Sequence, residues 1–257
     1  MIQNYLSREL DVAIDASSRA EELVMRYYRG DIAAEKKADA TPVTIADREA
    51  EALIKEMLHK HFPHYGFLGE ESGKAASSDD TVWVVDPIDG TKNFIRHIPL
   101  FGILIGLMKK GVCTLGVSNV PGMQEKLWGK LGVGAFMNGV PIQVSDVATL
   151  QESTVSLGGM KKLVAMNGER GLKTLIEQAA RIRAFGDTYP YNLVASGRLE
   201  AVVEVGIKIW DIAALVAIIE AAGGKCTDID GKPITTETTS IIASNGKVHE
   251  EIVQLFR

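Results

Sequence analysis

One short segment constrains this chain more than any other, because it joins an apolar strand to two carboxylates and a Gly-Thr pair. It reads Trp83-Val-Val-Asp86-Pro87-Ile88-Asp89-Gly90-Thr91. The apolar residues predict a strand that stops at the proline, which cannot donate a ladder hydrogen bond. Two carboxylates and the Ile88 carbonyl then converge on hard cations, and oxygen ligands without Cys or His favour Mg2+ or Mn2+ over zinc. The segment predicts a divalent-metal site.

The Gly90-Thr91 pair predicts an anion site beside the metal. If a helical turn begins at Gly90, its first amides have no partner inside the helix, and the positive end of the helix dipole faces a bound phosphate. The structural alternative is that Asp-Gly closes a tight turn that Asp86 caps. The rest of the chain favours the metal and phosphate site, because other acidic residues follow other apolar segments.

Two further segments place acids at the ends of apolar runs. A predicted strand ends at Gly69 and is followed by Glu70 and Glu71, and Asp211 opens a strongly apolar helical segment. Asp211 alone is an N-cap candidate, and adjacent glutamates on a loop are usually only solvated. Three separated acidic sites after apolar segments are nevertheless hard to explain as three unrelated turns, so they indicate one shared site.

Four motifs spread over nearly all of the chain belong together. They are Gly69-Glu70-Glu71, Asp86-Pro-Ile-Asp89-Gly-Thr91, Gly132-Val-Gly134-Ala-Phe-Met-Asn138-Gly139 and Trp210-Asp211. In this order they resemble the inositol monophosphatase family of metal-dependent, lithium-sensitive phosphatases. The resemblance implies a mixed α/β (α+β) layered αβαβα sandwich, shared with fructose bisphosphatases. It also implies an N-terminal α+β half over residues 1–144 and a C-terminal α/β half over residues 145–257.

The resemblance implies a role for each matching residue. The implied metal ligands are Glu70, Asp86, Asp89, Asp211 and the Ile88 carbonyl. The implied catalytic residues are Thr91 and Asp47, which polarise the attacking water, together with Glu70, and the implied phosphate cradle consists of the Gly90 and Thr91 amides. The implied reaction is direct hydrolysis of a phosphate monoester by water, with two or three Mg2+ as cofactors, Mn2+ as an alternative, and inhibition by Li+.

The substrate region resembles the histidinol-phosphate phosphatase branch more than the inositol branch. It contains Phe185-Gly-Asp187-Thr-Tyr-Pro190-Tyr191 and, further on, Glu204. Asp187 and Glu204 are the predicted substrate contacts, because they can pair with the ammonium of an amino alcohol. Alternatively, Asp187 is a helix N-cap with Pro190 in the first turn, and the substrate is inositol 1-phosphate or another polyol phosphate. A non-enzymatic partner of the transcription machinery is a further alternative, which the intact ligand set argues against.

Composition limits the classes of partner. The chain has 257 residues, 46% of them hydrophobic, which is enough to bury a large core. A net charge of -5 and the lack of a long basic run argue against nucleic acid. The N-terminus lacks a signal-peptide pattern, and the apolar stretch from Ile98 to Met108 is too short to span a bilayer. We therefore expect a cytoplasmic protein without membrane partners, and the resemblance suggests a homodimer.

Periodicity predicts the remaining elements. Predicted helices cover the first thirty residues up to Gly30, the segment from Thr44 toward Pro63, and residues 171–180, 190–197 and 212–222. Predicted strands cover residues 65–68, 82–86, 101–108, 112–119, 125–129, 140–144, 153–157, 201–205 and 240–243. Residues 31–40 are expected to form a loop. Thr44 and Asp47 predict a capping box at the start of the second helix. The segment from Asp228 to Gly231 predicts a hairpin turn. Cys113 and Cys226 are expected to be reduced, buried thiols.

Overall fold

The computed structural model describes residues 7–30, 34–36, 42–75, 80–166 and 168–257. Within these ranges the chain forms a two-stranded ribbon, an eight-stranded sheet and a five-stranded sheet, with eight α-helices. The ribbon pairs β1 (Ala34–Lys36) with β2 (Pro42–Thr44). The two larger sheets and the helices around them form the core of the fold.

The eight-stranded sheet is built from consecutive strands of the first half of the chain. They are β3 (Gly66–Gly69), β4 (Gly73–Ala75), β5 (Thr81–Asp89), β6 (Gly102–Lys109), β7 (Val112–Val120), β8 (Glu125–Lys130), β9 (Gly134–Met137) and β10 (Val140–Ile142). Their order is β10-β9-β8-β7-β6-β5-β3-β4, and only the β3–β5 pair among them is parallel. Because β3 and β5 run in parallel, their C-terminal ends meet at the same edge of the sheet. Glu70 and Asp86 therefore emerge near one another.

The five-stranded sheet and most of the helices belong to the second half of the chain. Its strands are β11 (Thr154–Leu157), β12 (Arg181–Arg183), β13 (Ala201–Val205), β14 (Lys225–Thr227) and β15 (Ser240–Ser244), in the order β12-β11-β13-β15-β14. The helices of the chain are α1 (Arg8–Tyr28), α2 (Ile45–His61), α3 (Thr91–Ile95), α4 (Met160–Ala165), α5 (Glu169–Gln178), α6 (Tyr189–Ala195), α7 (Ile209–Ala221) and α8 (His249–Phe256).

Alternating apolar residues divide these elements into five layers. One face of the eight-stranded sheet packs on α1 and α2, and its other face packs on α7. Alternate residues of β13 and β15 face α7 on one side of the five-stranded sheet, and α5 and α8 on the other. The strand period of two makes this possible, because successive side chains point to opposite faces. The predicted αβαβα sandwich is confirmed.

Helix α7 lies unusually close to the eight-stranded sheet because glycines line its path. A Cβ added at Gly116 would overlap the carbonyl oxygen of Ala214, and one added at Gly106 would lie 2.9 Å from the Ala214 nitrogen. A Cβ at Gly129 would lie 2.7 Å from the Ile218 α-carbon. The close packing brings the first turn of α7, which carries Asp211, to the edge of the sheet.

The structure corrects several sequence predictions. Strand β5 does not stop at Pro87 but continues to Asp89, with an irregular register between Asp86 and Asp89. The loop expected over residues 31–40 contains β1, and the rest of that segment lies largely outside the described residues. The turn predicted at Asp228 to Gly231 is present, but it does not join two paired strands as a hairpin, because β14 pairs with β15 across a longer connection.

Besides β1, seven short elements were not predicted, namely β2, β4, β9, β12, β14, α4 and α8. The other predicted helices and strands are confirmed to within a few residues at each end. The capping box stays a prediction, because the Thr44 side chain lies outside the described part of the structure. The division into halves after residue 144 also stays a prediction; the two large sheets fall on either side of that point.

Candidate active site

Three aspartates from two elements converge at the edge of the eight-stranded sheet. Asp86 and Asp89 lie on β5, Asp211 lies in the first turn of α7, and one carboxylate oxygen from each lies within 4.8 Å of the others. Residues three apart on a regular strand point to opposite faces. The irregular register of β5 between Asp86 and Asp89 shifts that alternation, as a bulge does, and lets both carboxylates meet Asp211.

Asp211 is oriented by the start of α7. Its Oδ2 accepts a hydrogen bond of 2.7 Å from the backbone N–H of Lys208, three residues earlier. Asp211 is therefore the third helical residue and not the N-cap, which corrects that alternative. A carboxylate in this position satisfies a free backbone amide and benefits from the positive end of the helix dipole.

The cluster carries more negative charge than the described residues around it neutralise. Burial raises the pKa of Asp86 well above its usual range, and the charges of Glu70, Asp89 and Asp211 raise it further. Burial also raises the pKa of Asp211 to about 7. Asp89 Oδ2 is buried and has no hydrogen-bond partner among the described residues. A cation with oxygen ligands fits this donor set, because it would compensate charges that water no longer solvates.

Glu70 approaches the cluster from the end of β3. Its backbone N–H donates to the carbonyl of Val85, the residue before Asp86, over 3.1 Å. Its charge raises the pKa of both Asp86 and Asp211. The carboxylate oxygens that lie within 4.8 Å of one another nevertheless belong to the three aspartates and not to Glu70. Glu70 therefore lies at the border of the cluster.

Thr91 connects the cluster to helix α2. Its Oγ1 lies 3.1 Å from the carbonyl oxygen of Ile88 and 3.4 Å from Oδ1 of Asp47, which is buried on α2. Gly90 precedes α3 with φ of 83°, and its carbonyl accepts the amides of Asn93 and Phe94. The hydrogen bonds of α3 thus begin at Asn93 and do not use the amides of Gly90 and Thr91, as expected for a helix start.

Asp187 joins the loop before α6 to helix α3. Its Oδ2 accepts a hydrogen bond of 2.7 Å from Nδ2 of Asn93, which also donates to the Leu100 carbonyl over 2.8 Å. Asp187 has φ of 50°, and Thr188, not Asp187, is the N-cap of α6. The predicted N-cap role of Asp187 is therefore wrong. Burial raises the pKa of Asp187.

Glu204 lies on β13, in the five-stranded sheet. Its Oε2 accepts a hydrogen bond of 2.8 Å from the buried hydroxyl of Tyr191. Burial, together with the charges of Asp187 and Asp211, raises its pKa to about 7. The carboxylates of Asp187 and Glu204 thus border the cluster on the side of the second half of the chain.

Sequence reasoning missed two residues that hold these acids, Asn93 and Tyr191. Asn93 lies two residues after Thr91, inside the short helix that the Gly-Thr pair opens. Tyr191 lies in the segment that carries Asp187, but nothing in its sequence position indicates contact with Glu204 thirteen residues later. Polar side chains close behind a predicted site motif were the available signal for Asn93.

Other groups considered from the sequence lie elsewhere. Asp228 Oδ1 accepts the backbone amides of Asp230 and Lys232, so this carboxylate closes a surface turn and is not part of the aspartate cluster. Cys113 and Cys226 are buried free thiols, as predicted. Among the described residues, no helix combines the length and apolar character that crossing a bilayer requires.

The five-layer fold and its acidic edge define a class of metal-dependent phosphatases. The sequence model described as the inositol monophosphatase family matches residues 6–257, and the chain belongs to that family. It is a phosphoric monoester hydrolase.

Particular relatives carry different names. A histidinol-phosphatase from Chlorobaculum parvum is 36% identical over 249 residues, which cover 96% of each chain. A fructose-1,6-bisphosphatase/inositol-1-monophosphatase from Thermotoga maritima is 34% identical over 248 residues, covering 96% of this chain and 94% of the relative. The crystal structure of the extragenic suppressor protein suhB from Bartonella henselae matches with a TM-score of 0.90 at 30% identity, covering 98% of this chain and 99% of that one.

Proposed function

We propose that this protein hydrolyses histidinol phosphate to histidinol and phosphate, with Mg2+ as cofactor and water as the nucleophile. The observation that carries the proposal is the convergence of one buried and two half-buried aspartates beside the Thr91–Asp47 pair, with Asp187 and Glu204 at the border. The enzymes of this family use Mg2+, and the donor set consists of oxygen atoms, which Mg2+ prefers.

The proposed ligands of Mg2+ are the cluster and its immediate neighbours. They are Glu70, Asp86, Asp89, Asp211 and the carbonyl oxygen of Ile88, and two or three ions are proposed, with Mn2+ as a substitute. Bound there, Mg2+ supplies charge neutralisation for the phosphate, a lowered pKa for the attacking water and stabilisation of the leaving alkoxide. No protein nucleophile is required.

Thr91 and Asp47 are proposed to hold the attacking water. The Thr91 hydroxyl lies 3.1 Å from the Ile88 carbonyl oxygen and 3.4 Å from Asp47 Oδ1. Because the Ile88 carbonyl is a proposed metal ligand, Asp47 is proposed to accept the hydroxyl hydrogen, which leaves the hydroxyl oxygen to accept a hydrogen bond from water. The Gly90 and Thr91 amides, which the helix does not use, are proposed to donate to the phosphate oxygens. Water, phosphate and metal ligands would then occupy fixed positions before the reaction begins.

The choice of histidinol phosphate depends on Asp187 and Glu204. Two carboxylates in a partly desolvated cleft suit the ammonium of an amino alcohol, because a charged hydrogen bond there contributes about 1.5–3 kcal/mol. The name of the Chlorobaculum parvum relative supports this choice. Inositol 1-phosphate is the second candidate, because the name of the Thermotoga maritima relative includes inositol-1-monophosphatase at similar identity and because Glu204 can also accept hydrogen bonds from hydroxyl groups.

Steady-state kinetics on both substrates test the proposal. We expect wild-type kcat/KM to be higher on histidinol phosphate than on inositol 1-phosphate. Asp187→Asn should lower kcat/KM for histidinol phosphate roughly tenfold or more and change it much less for uncharged polyol phosphates, because about 1.4 kcal/mol is a factor of ten. Asp146→Asn, an exposed acid elsewhere, is the matched control. Higher wild-type activity on inositol 1-phosphate, or an equal loss on both substrates, contradicts the proposal.

Three finer properties complete the proposal: a homodimer in solution, inhibition by Li+ and a cytoplasmic location. Sedimentation velocity and an Mg2+ competition assay test the first two, and fractionation tests the third. If no phosphate is released from either substrate in the presence of Mg2+, the non-enzymatic alternative, a partner-binding protein of the transcription machinery, gains support instead.

A further inference from the structure

A buried glutamate that has no assigned role lies beneath the turn that carries Glu70. Glu51 lies on α2 and is 2% exposed. Its Oε2 accepts the backbone N–H of Glu71 over 2.8 Å, and its Oε1 accepts the backbone N–H of Ser72 over 2.9 Å. Both carboxylate oxygens therefore bind consecutive amides of one turn, as an anion binds a nest of backbone N–H groups.

The residue before Glu70, at the end of β3, is a glycine that lies directly against the Glu51 carboxylate. A Cβ added at Gly69 would overlap the carboxylate group of Glu51. Gly69 has no left-handed backbone conformation that would require glycine. The reason for a glycine at this position is therefore the space that Glu51 occupies.

These contacts fix the backbone of Glu70 from both sides. Its own N–H donates to the Val85 carbonyl, and the two amides that follow it donate to Glu51. Burying a carboxylate costs free energy, because the group loses its hydrogen bonds to water. Two backbone hydrogen bonds to a charged acceptor offset that cost.

Helix α2 places Glu51 one turn after Asp47, on the same face. Asp47 approaches Thr91 at one end of the candidate site, and Glu51 holds the Glu70 turn at the other. Lys55, one turn further along, donates to the Ser72 hydroxyl over 3.4 Å. One face of a single helix thus contacts both ends of the site.

We infer that Glu51 is a positioning residue, which holds the Glu70 turn in the conformation that binds the metal. The inference rests on the proposed role of Glu70 as a metal ligand. Glu51 itself touches neither substrate nor metal in this proposal; it acts only through the backbone of residues 70–72.

The variant Glu51→Gln tests the inference with almost no change in shape. The carboxamide keeps one acceptor oxygen but turns its NH2 group toward a backbone N–H, so one hydrogen bond is lost and two donors face each other. Glu56→Gln, an exposed glutamate on the same helix, is the matched control. In metal-free protein, we expect hydrogen exchange at the Glu71 and Ser72 amides to become faster in Glu51→Gln and to stay unchanged in Glu56→Gln.

Metal binding supplies the second readout. Calorimetric titration with Mg2+ or Mn2+ alone should show roughly tenfold weaker binding in Glu51→Gln, about 1.4 kcal/mol. The Mg2+ concentration for half-maximal turnover should rise equally, while KM for the phosphate substrate at saturating Mg2+ stays unchanged. Faster exchange with unchanged metal affinity overturns the inference, and so does unchanged exchange.

A second variant keeps the test decisive if Glu51→Gln does not fold. Gly69→Ala displaces the Glu51 carboxylate from the other side, and it should weaken Mg2+ binding in the same direction. Wild-type metal affinity in Gly69→Ala overturns the inference. The exchange experiment needs neither metal nor substrate, so a failure of the proposed phosphatase function is recognised separately, as the absence of metal binding or turnover in the wild-type protein.

Discussion

Individual acidic residues at this site oppose folding, because the fold removes their carboxylates from water and places them close together. The buried carboxylates of Asp86 and Asp211 have raised pKa values because they are desolvated and lie among like charges. Each of them is less costly to bury when it is neutral. The residues proposed as metal ligands are therefore expected to lower the stability of the metal-free protein.

The first prediction is that Asp86→Asn and Asp211→Asn each abolish most of the turnover without loss of the fold. We expect a decrease in Mg2+-dependent phosphate release of about a hundredfold or more, because one anionic ligand is lost; this corresponds to ~2.7 kcal/mol. The melting temperature in EDTA at pH 8 should rise slightly, since a neutral amide is easier to bury. Near wild-type turnover of either variant at saturating Mg2+ contradicts the ligand assignment, and Asp146→Asn serves as control.

The second prediction concerns Thr91. Thr91→Ala should lower kcat by about a hundredfold or more with a small change in KM, because the hydroxyl acts on the water and the phosphate is held by other groups. Hydrolysis in 18O-labelled water should place the label in phosphate. A phosphoenzyme trapped by rapid acid quench would contradict direct attack by water.

At the scale of secondary-structure elements, the sequence predicts the acids of the cluster well and their supports poorly. Asp86, Asp89 and Asp211 were predictable because each lies at the end of an apolar strand or the start of an apolar helix. The continuation of β5 through Pro87 could not be predicted from the sequence, because its irregular register depends on the pairing with the neighbouring strand β6. The Asn93–Asp187 contact joins residues 94 positions apart, so only the tertiary packing determines it.

The third prediction tests the packing that delivers Asp211. Gly116→Ala on β7 should push α7 away from the sheet, because the added methyl overlaps the Ala214 carbonyl oxygen. We expect urea unfolding to show a loss of about 1–3 kcal/mol, and the Mg2+ affinity of the folded variant should fall. Gly30→Ala, whose nearest neighbour would lie 3.6 Å away, is the control and should change neither value. Wild-type stability of Gly116→Ala would contradict the described packing of α7.

On the scale of the whole molecule, protons and the proposed Mg2+ compete for the same carboxylates, and either can stabilise the folded state. Asp211 and Glu204 each have a pKa of about 7 in the fold, far above that of an ordinary carboxylate. Between pH 4 and 7 the native state therefore binds more protons than the unfolded state at these groups, and stability falls as pH rises. His249 acts in the opposite sense, because burial lowers its pKa to about 4, but it contributes mainly below about pH 6.5.

The fourth prediction follows from that competition and uses the window from pH 6 to 8. His249 is neutral in the fold throughout this window and still partly protonated in the unfolded state at pH 6, so it offsets only part of the fall expected from the two carboxylates. Without metal, the free energy of unfolding should fall across this window by on the order of 1 kcal/mol for each group with a folded pKa of about 7, because the native state releases protons that the unfolded state has already lost. Saturating Mg2+ should remove most of this fall, since it replaces the protons at the cluster, so its stabilising effect should be larger at pH 8 than at pH 6.

Urea unfolding in EDTA and in Mg2+ at both pH values measures the two slopes, and Asp211→Asn should have a shallower metal-free slope than the wild type. A metal-free stability that rises from pH 6 to pH 8 would contradict the raised pKa values of these carboxylates, and an Mg2+ effect that is larger at pH 6 would contradict Mg2+ binding at the cluster.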